Sequence, residues 1–197
     1  MIFRLAVAAM VLGVMVCGPH ERAGAESHGV AFTADACDVS ALPAEIQTAL
    51  KKDYDEWRVV READLNSMAR GRWQGAKVDA CPGLAAGAIT AIGAKDYAVL
   101  LVPAHAGDRG YKLVVFKRAT ETSPYEAVKV AESARVKPQD YFIRVVPLED
   151  WVDGIRIKKS QVSAPDALEL VDSDEEKYGA ELYFYTGGKF KSEPIDD

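Results

Sequence analysis

The sequence predicts an α+β fold: one domain, mainly antiparallel β-sheet, with one N-terminal helix packed on it. Three observations carry this prediction. Apolar runs at 84–91, 97–103 and 111–118 are separated by breaks with Gly and Asp turn chemistry. One stretch, 40–52, has a firm helical period. The links between runs are too short for the helical crossovers that parallel strands need. At 197 residues, 49% hydrophobic and 27% charged, the chain has the composition and length of one globular domain with a real core.

Residues 1–25 read as a secretory signal peptide, removed before the domain 26–197 folds. Met1 to Arg4 is a short positive start, 5–17 is continuously apolar, and Ala23-Gly24-Ala25 offers a small-x-small cleavage site before Glu26. Acylation of Cys17 would anchor the protein to a membrane, but Val16 suits a lipoprotein signal poorly, so Cys17 reads as part of the apolar region. The expected location is periplasmic or secreted. Loss of two arginines and one glutamate with this segment carries the net charge one unit beyond −6. That acidity argues against nucleic acid and anionic membrane surfaces as non-specific partners.

Cys37 and Cys81 remain, and in an oxidising compartment they read as one structural disulfide, stabilising by roughly 4 kcal/mol in the chain-entropy model. A zinc site on them is disfavoured, because His28 and His105 are the only histidines left and neither neighbours a cysteine.

Taken in order, 26–36 is extended or frayed. In 40–52, Leu42, Ile46, Ala49 and Leu50 share a face, Pro43 suits the first turn and Ser40 is placed to cap it. Residues 57–60 read as a short strand, and 63–73 as one or two helical turns capped by Asp64. The three central runs form a β-meander; 97–102 is apolar throughout, as a strand covered on both faces should be, while Lys112 and Lys117 face water. Strands follow at 125–131, 141–146, 155–158 and 167–171, with a turn at 137–140 and a charged loop at 172–177. The last hairpin is 179–186 and 189–195 around Gly187-Gly188.

For chemistry, His105 sits at a loop tip and reads as solvated, and the hydrolase and phosphate-binding motifs are missing from the sequence. No catalytic residue, metal ligand or cofactor is assigned. The acidic run from Asp172 lacks the glycine and glutamate of an EF-hand loop, where Lys177 and Tyr183 stand. Within 180–185, Leu182 and Phe184 point one way and Tyr183 and Tyr185 the other. One set fills the core; the other, if exposed beside Trp57 or Trp151, would make a recognition surface.

Cys81-Pro82-Gly83 and Lys95-Asp96-Tyr97-Ala98-Val99-Leu100-Leu101, with the closing Tyr183-Phe184-Tyr185-Thr186-Gly187-Gly188-Lys189-Phe190, resemble a pattern in small exported bacterial proteins of unknown function. The turn also resembles a degenerate FG-GAP element without its Asp-rich calcium loop. The resemblance implies an exported, β-rich protein and no activity.

The functional expectation is a non-catalytic binding protein with a protein partner, an inhibitor or immunity-type partner of an envelope hydrolase being one version. The surface assigned to it comprises Asp108, Arg109, Trp151, Asp172, Asp174, Glu175, Tyr183 and Tyr185. The alternative is a hydrolase using carboxylates drawn from Asp53, Asp55, Glu56, Asp172 and Asp174.

Overall fold

The structure, a computed structural model, describes residues 36–76, 81–105, 107–151, 164–174 and 178–195. The leader at 1–25 with Cys17, His28, the strand expected at 155–158 and Glu175 lie outside the described residues.

The expected α+β architecture is present, but its strands form two antiparallel sheets rather than one. The first contains β1 (Trp57–Val59), β2 (Leu84–Gly87), β3 (Asp96–Pro103), β4 (Tyr111–Lys117) and β5 (Glu126–Ser133). The second contains β6 (Tyr141–Pro147), β7 (Asp166–Ser173), β8 (Tyr178–Thr186) and β9 (Lys189–Ile195), paired in chain order. β1 and β2 lie end to end along one side of β3, with Val59 opposite Leu101 and Leu84 opposite Val99.

Alternation along β3 explains the layering. Ala98, Leu100 and Val102 pack with Leu113, Val115, Ile143, Leu168, Leu170 and Tyr183, which is the core between the sheets. Tyr97, Val99 and Leu101 pack on the opposite side with Leu42, Ile46, Val114 and Phe116, beneath the first helix. A strand buried on both faces loses its polar alternation, which is why 97–102 reads as a continuous apolar run.

That helix, α1 (Ala44–Asp53), is shorter than the predicted 40–52. Leu42 precedes a proline, which disfavours helical backbone, and it is extended at φ −78°, ψ 157°. Residues Val39–Ala41 therefore close as a separate 3-10 turn, where the Asp38 carboxylate, not Ser40, does the capping by accepting from Ser40 N at 2.8 Å. A second helix, α2 (Ser67–Gly75), is longer than one or two turns. Asn66 caps it, accepting from Ala69 N at 2.7 Å. Asp64 instead accepts from Arg61 N at 2.8 Å and pairs with Arg58, closing the 3-10 turn Glu62–Asp64. α2 covers the outer face of the second sheet, Ala69 and Trp73 packing into the cluster that holds Phe142, Val171 and Ala180. The layers thus run helix, sheet, sheet, helix.

The Cys81-Pro82-Gly83 turn joins them. Cys81 is disulfide-bonded to Cys37 across 44 residues of chain. Pro82 O accepts from Ile143 N of β6 and Gly83 O from Leu100 N of β3, both at 2.9 Å. A Cβ on Gly83 would sit 2.6 Å from Val60 O and 2.7 Å from Val60 N, so backbone leaves no room for a side chain. The closing hairpin turns on Gly187 and Gly188, both at positive φ (57° and 82°), the backbone a two-residue connection favours.

Three further expectations are corrected. The run 84–91 is strand only to Gly87, because Asp166 accepts from Ala88 N at 2.7 Å and draws the chain off the ladder. Asp172 lies inside β7, opposite Tyr141 and Gly179, and not in the loop. Lys112 is half-buried with its ammonium 4.1 Å from the Trp57 ring centroid, and Lys117, also half-buried, pairs with Glu126 at 2.7 Å.

Asp96 holds the 88–95 loop: its Oδ2 accepts from Thr90 N at 2.7 Å and Thr90 Oγ1 at 2.8 Å, while the residue is fully buried and Oδ1 has no partner. Burial pushes its carboxyl above the ordinary 3.8, the bonds from Thr90 pulling the other way. A carboxyl raised in the folded state takes up protons on folding, so its contribution falls as pH rises from 3.8 through the folded pKa. Asp96→Asn removes that dependence. Urea denaturation between about pH 3.5 and about pH 7 should show the variant gaining on the wild type through that window and holding level above it. Parallel curves would contradict this role.

Candidate functional site

Two loops singled out in the sequence, around Asp108 and around Asp172, are brought to the same end of the sandwich. Gly110 N donates to Val136 O at 3.0 Å, and Arg109 Nη1 to Arg135 O at 3.4 Å, tying the β3–β4 loop to the chain entering β6. Tyr111, the first residue of β4, packs on Tyr141, the first of β6, with ring centroids 5.0 Å apart. Tyr141 in turn donates its hydroxyl to Asp172 Oδ2 at 2.8 Å. Burial raises the Tyr111 and Tyr141 phenols, and the neighbouring carboxylates add to it, so both stay protonated at neutral pH.

Asp140, which the sequence reading missed, belongs to this end. It is buried, and Asn66 Nδ2 donates to its Oδ1 at 2.6 Å. Burial pushes its carboxyl up; the Asn66 bond opposes that, and the charges of Asp174 and Asp172 reinforce it. Asp108 and Asp174 are exposed, and Asp174 N donates to Asp172 Oδ1 at 3.3 Å. His105, also exposed, stands on the same loop as Asp108. Asp53, Asp55 and Glu56 are exposed as well, where Ala104 N donates to Glu56 O at 2.8 Å. They lie at the end of α1 and in the turn leading into β1 of the first sheet, in a different layer from Asp172.

The aromatic residues do not join this surface. Tyr183 is buried between the sheets, donating to Glu181 Oε2 at 2.8 Å, while Leu182 and Phe184 are buried on the opposite face with Val146, Leu148 and Ala167. Both sets therefore pack. Trp151 is half-buried against that second cluster, and Tyr185 is half-buried against Phe190, with ring centroids 5.1 Å apart.

A cleft of about 320 Å³ opens beside the same end, between α2 and the outer face of the second sheet, lined by Arg72, Ala76, Phe142, Arg144, Val171 and Tyr178. Its floor rests on a cross-strand ion pair. Arg144 donates Nε to Glu169 Oε2 at 2.5 Å and Nη2 to Oε1 at 3.0 Å, and Glu169 is fully buried. The carboxylate holds the guanidinium charged, its bond outweighing the opposing effect of burial. On the wall, the Arg72 guanidinium lies 4.6 Å from the Tyr178 ring centroid. A signal for this pair was available: Arg144 and Glu169 each interrupt an otherwise apolar run, and antiparallel pairing sets them opposite. Nothing in the spacing of Arg72 or Tyr178 announces the cleft, since α2 reaches it only through tertiary packing.

Removing one partner of such a pair leaves a buried charge uncompensated. Arg144→Met, which strands the fully buried Glu169, should cost about 3 kcal/mol or more; Glu169→Leu should cost less, because the Arg144 side chain is 25% exposed, and the double substitution should recover most of the larger loss. A double-mutant cycle by urea denaturation measures this; additive losses would contradict it.

No family model matches the chain, and no curated protein or solved structure is significantly similar to it.

Proposed function

We propose that this chain is an exported, non-catalytic binding protein. It presents the end carrying Asp108, Asp172 and Asp174 to a basic protein partner, an envelope hydrolase held inhibited being the concrete case. The observation that supports this best is the Tyr111–Tyr141–Asp172 contact, which gathers the Asp108 loop and the acidic chain end at Asp172 and Asp174, distant in sequence, on a rigid base. The acidic net charge, −6 for the full sequence and one unit more negative without residues 1–25, favours encounter with a cationic surface. Two of the buried carboxylates already serve structure: Asp96 holds Thr90, and Glu169 holds Arg144. Export rests on the leader pattern at 1–25, and a disulfide suits an oxidising compartment.

One observation favours the carboxylate hydrolase as a second reading. Asp140 is a buried carboxyl with a raised pKa near two other aspartates, the combination that general acid catalysis uses. Against it, the cleft is lined among the described residues by arginines and aromatics, not by these carboxylates.

Both readings meet in one experiment. Immobilised mature protein should retain a basic protein from envelope extract, and release it at about 0.5 M salt, where charges more than a few ångströms apart are screened. The exposed pair Asp108→Lys and Asp174→Lys should abolish retention. Retention indifferent to salt and to both substitutions would overturn the binding reading. Peptidoglycan cleavage by the wild type, lost in Asp140→Asn, would establish the other.

A further inference from the structure

We propose a second site on this protein: the cleft between α2 and the outer face of the second sheet binds a small planar organic monoanion, of the aromatic carboxylate class. Size comes first. About 320 Å³ lies at the lower end of the range of small-molecule pockets, enough for a compact ligand. The charge follows from the two arginines. Arg144 gives its Nε–H and one Nη2–H to Glu169, so that pair is neutral overall, and three N–H donors, two of them on Nη1, are left over. Arg72 carries the second guanidinium, and its Nη1 is buried with no hydrogen-bond partner. Two guanidiniums line the cleft, and among the described residues only that of Arg144 has a carboxylate partner; a carboxylate is the acceptor whose planar geometry matches the arginine fork.

The walls define the rest of the ligand. Phe142 and Tyr178 supply aromatic surface, while Val171 and Ala76 add small apolar contacts. The Tyr178 ring is already set by the guanidinium stacked on it. A flat apolar body carrying one negative charge fills such a slot; a fully hydrated inorganic anion would leave the aromatic walls wet. The site lies on the outer face of the second sheet beside the acidic end, and its ligand does not depend on a protein partner there.

The probe is benzoate, titrated into the mature full-length domain and followed by ligand-observed and amide NMR. Saturable binding is expected with a dissociation constant below about 1 mM, and with benzamide weaker by about tenfold because it lacks the charge. Arg72→Met should weaken benzoate by about tenfold or more, since it removes the charge and keeps most of the stem. Ala76→Trp should block binding by filling the cleft with both arginines intact. Should Arg72→Met fail to fold, as judged by its amide spectrum, Ala76→Trp decides alone. Absence of saturable benzoate binding, binding unchanged in the folded variants, or sulfate binding as tightly as benzoate would each overturn the proposal.

Discussion

The fold depends on how one short turn spends its two carbonyls. Pro82 O bonds the second sheet at Ile143 and Gly83 O bonds the first at Leu100. Two adjacent peptide groups thus help fix the spacing and offset of two sheets that meet mainly through apolar contacts, with Ala88 N to Asp166 and Gly110 N to Val136 O as further polar links. Apolar packing is non-directional; these bonds supply the direction. The disulfide at Cys81 adds the segment that leads into α1, so one point couples three of the four layers. Val60 closes the arrangement: its N donates to Leu100 O at 3.1 Å, and its backbone is the reason position 83 admits only glycine.

Buried and half-buried polar groups act as joints elsewhere in the same way. Asp96 fixes the 88–95 loop, Glu169 fixes Arg144 on the outer face, and Asp172 fixes Tyr141 at the loop end. Each is a group whose burial is costly unless its bonds are made, so each restricts the packings open to its neighbours. The two surfaces proposed for binding stand directly on these joints. The Asp108 and Asp174 loops stand on the Tyr111–Tyr141–Asp172 contact, and the cleft stands on the Arg144–Glu169 pair. Rigid positioning of charge is what both proposed activities require.

Local signals made much of this legible in the sequence. Alternation and turn chemistry located the three central strands and the last hairpin, and the two cysteines left after the leader gave the disulfide. The limits were physical as well. Helix spacing at 40–52 looked continuous because periodicity does not register the extended backbone that Pro43 imposes on Leu42. Two sheets were read as one because Pro82 O to Ile143 N is a contact between residues 61 apart in sequence, and no local pattern encodes it. The Tyr183 face was open to a surface reading because alternation separates two faces without saying that both are covered. The cleft was invisible for the same reason, since it exists only once α2 crosses to the second sheet.

Hydrogen exchange at two amides tests the central claim most directly. Ile143 N and Leu100 N bond the adjacent carbonyls of Pro82 and Gly83, one in each sheet. In the oxidised protein both should exchange only through global unfolding, and reduction of Cys37–Cys81 should lower the protection of both by the same factor. Loss of protection at Ile143 with Leu100 unaffected would mean that the sheets separate independently of the turn, and would contradict the account.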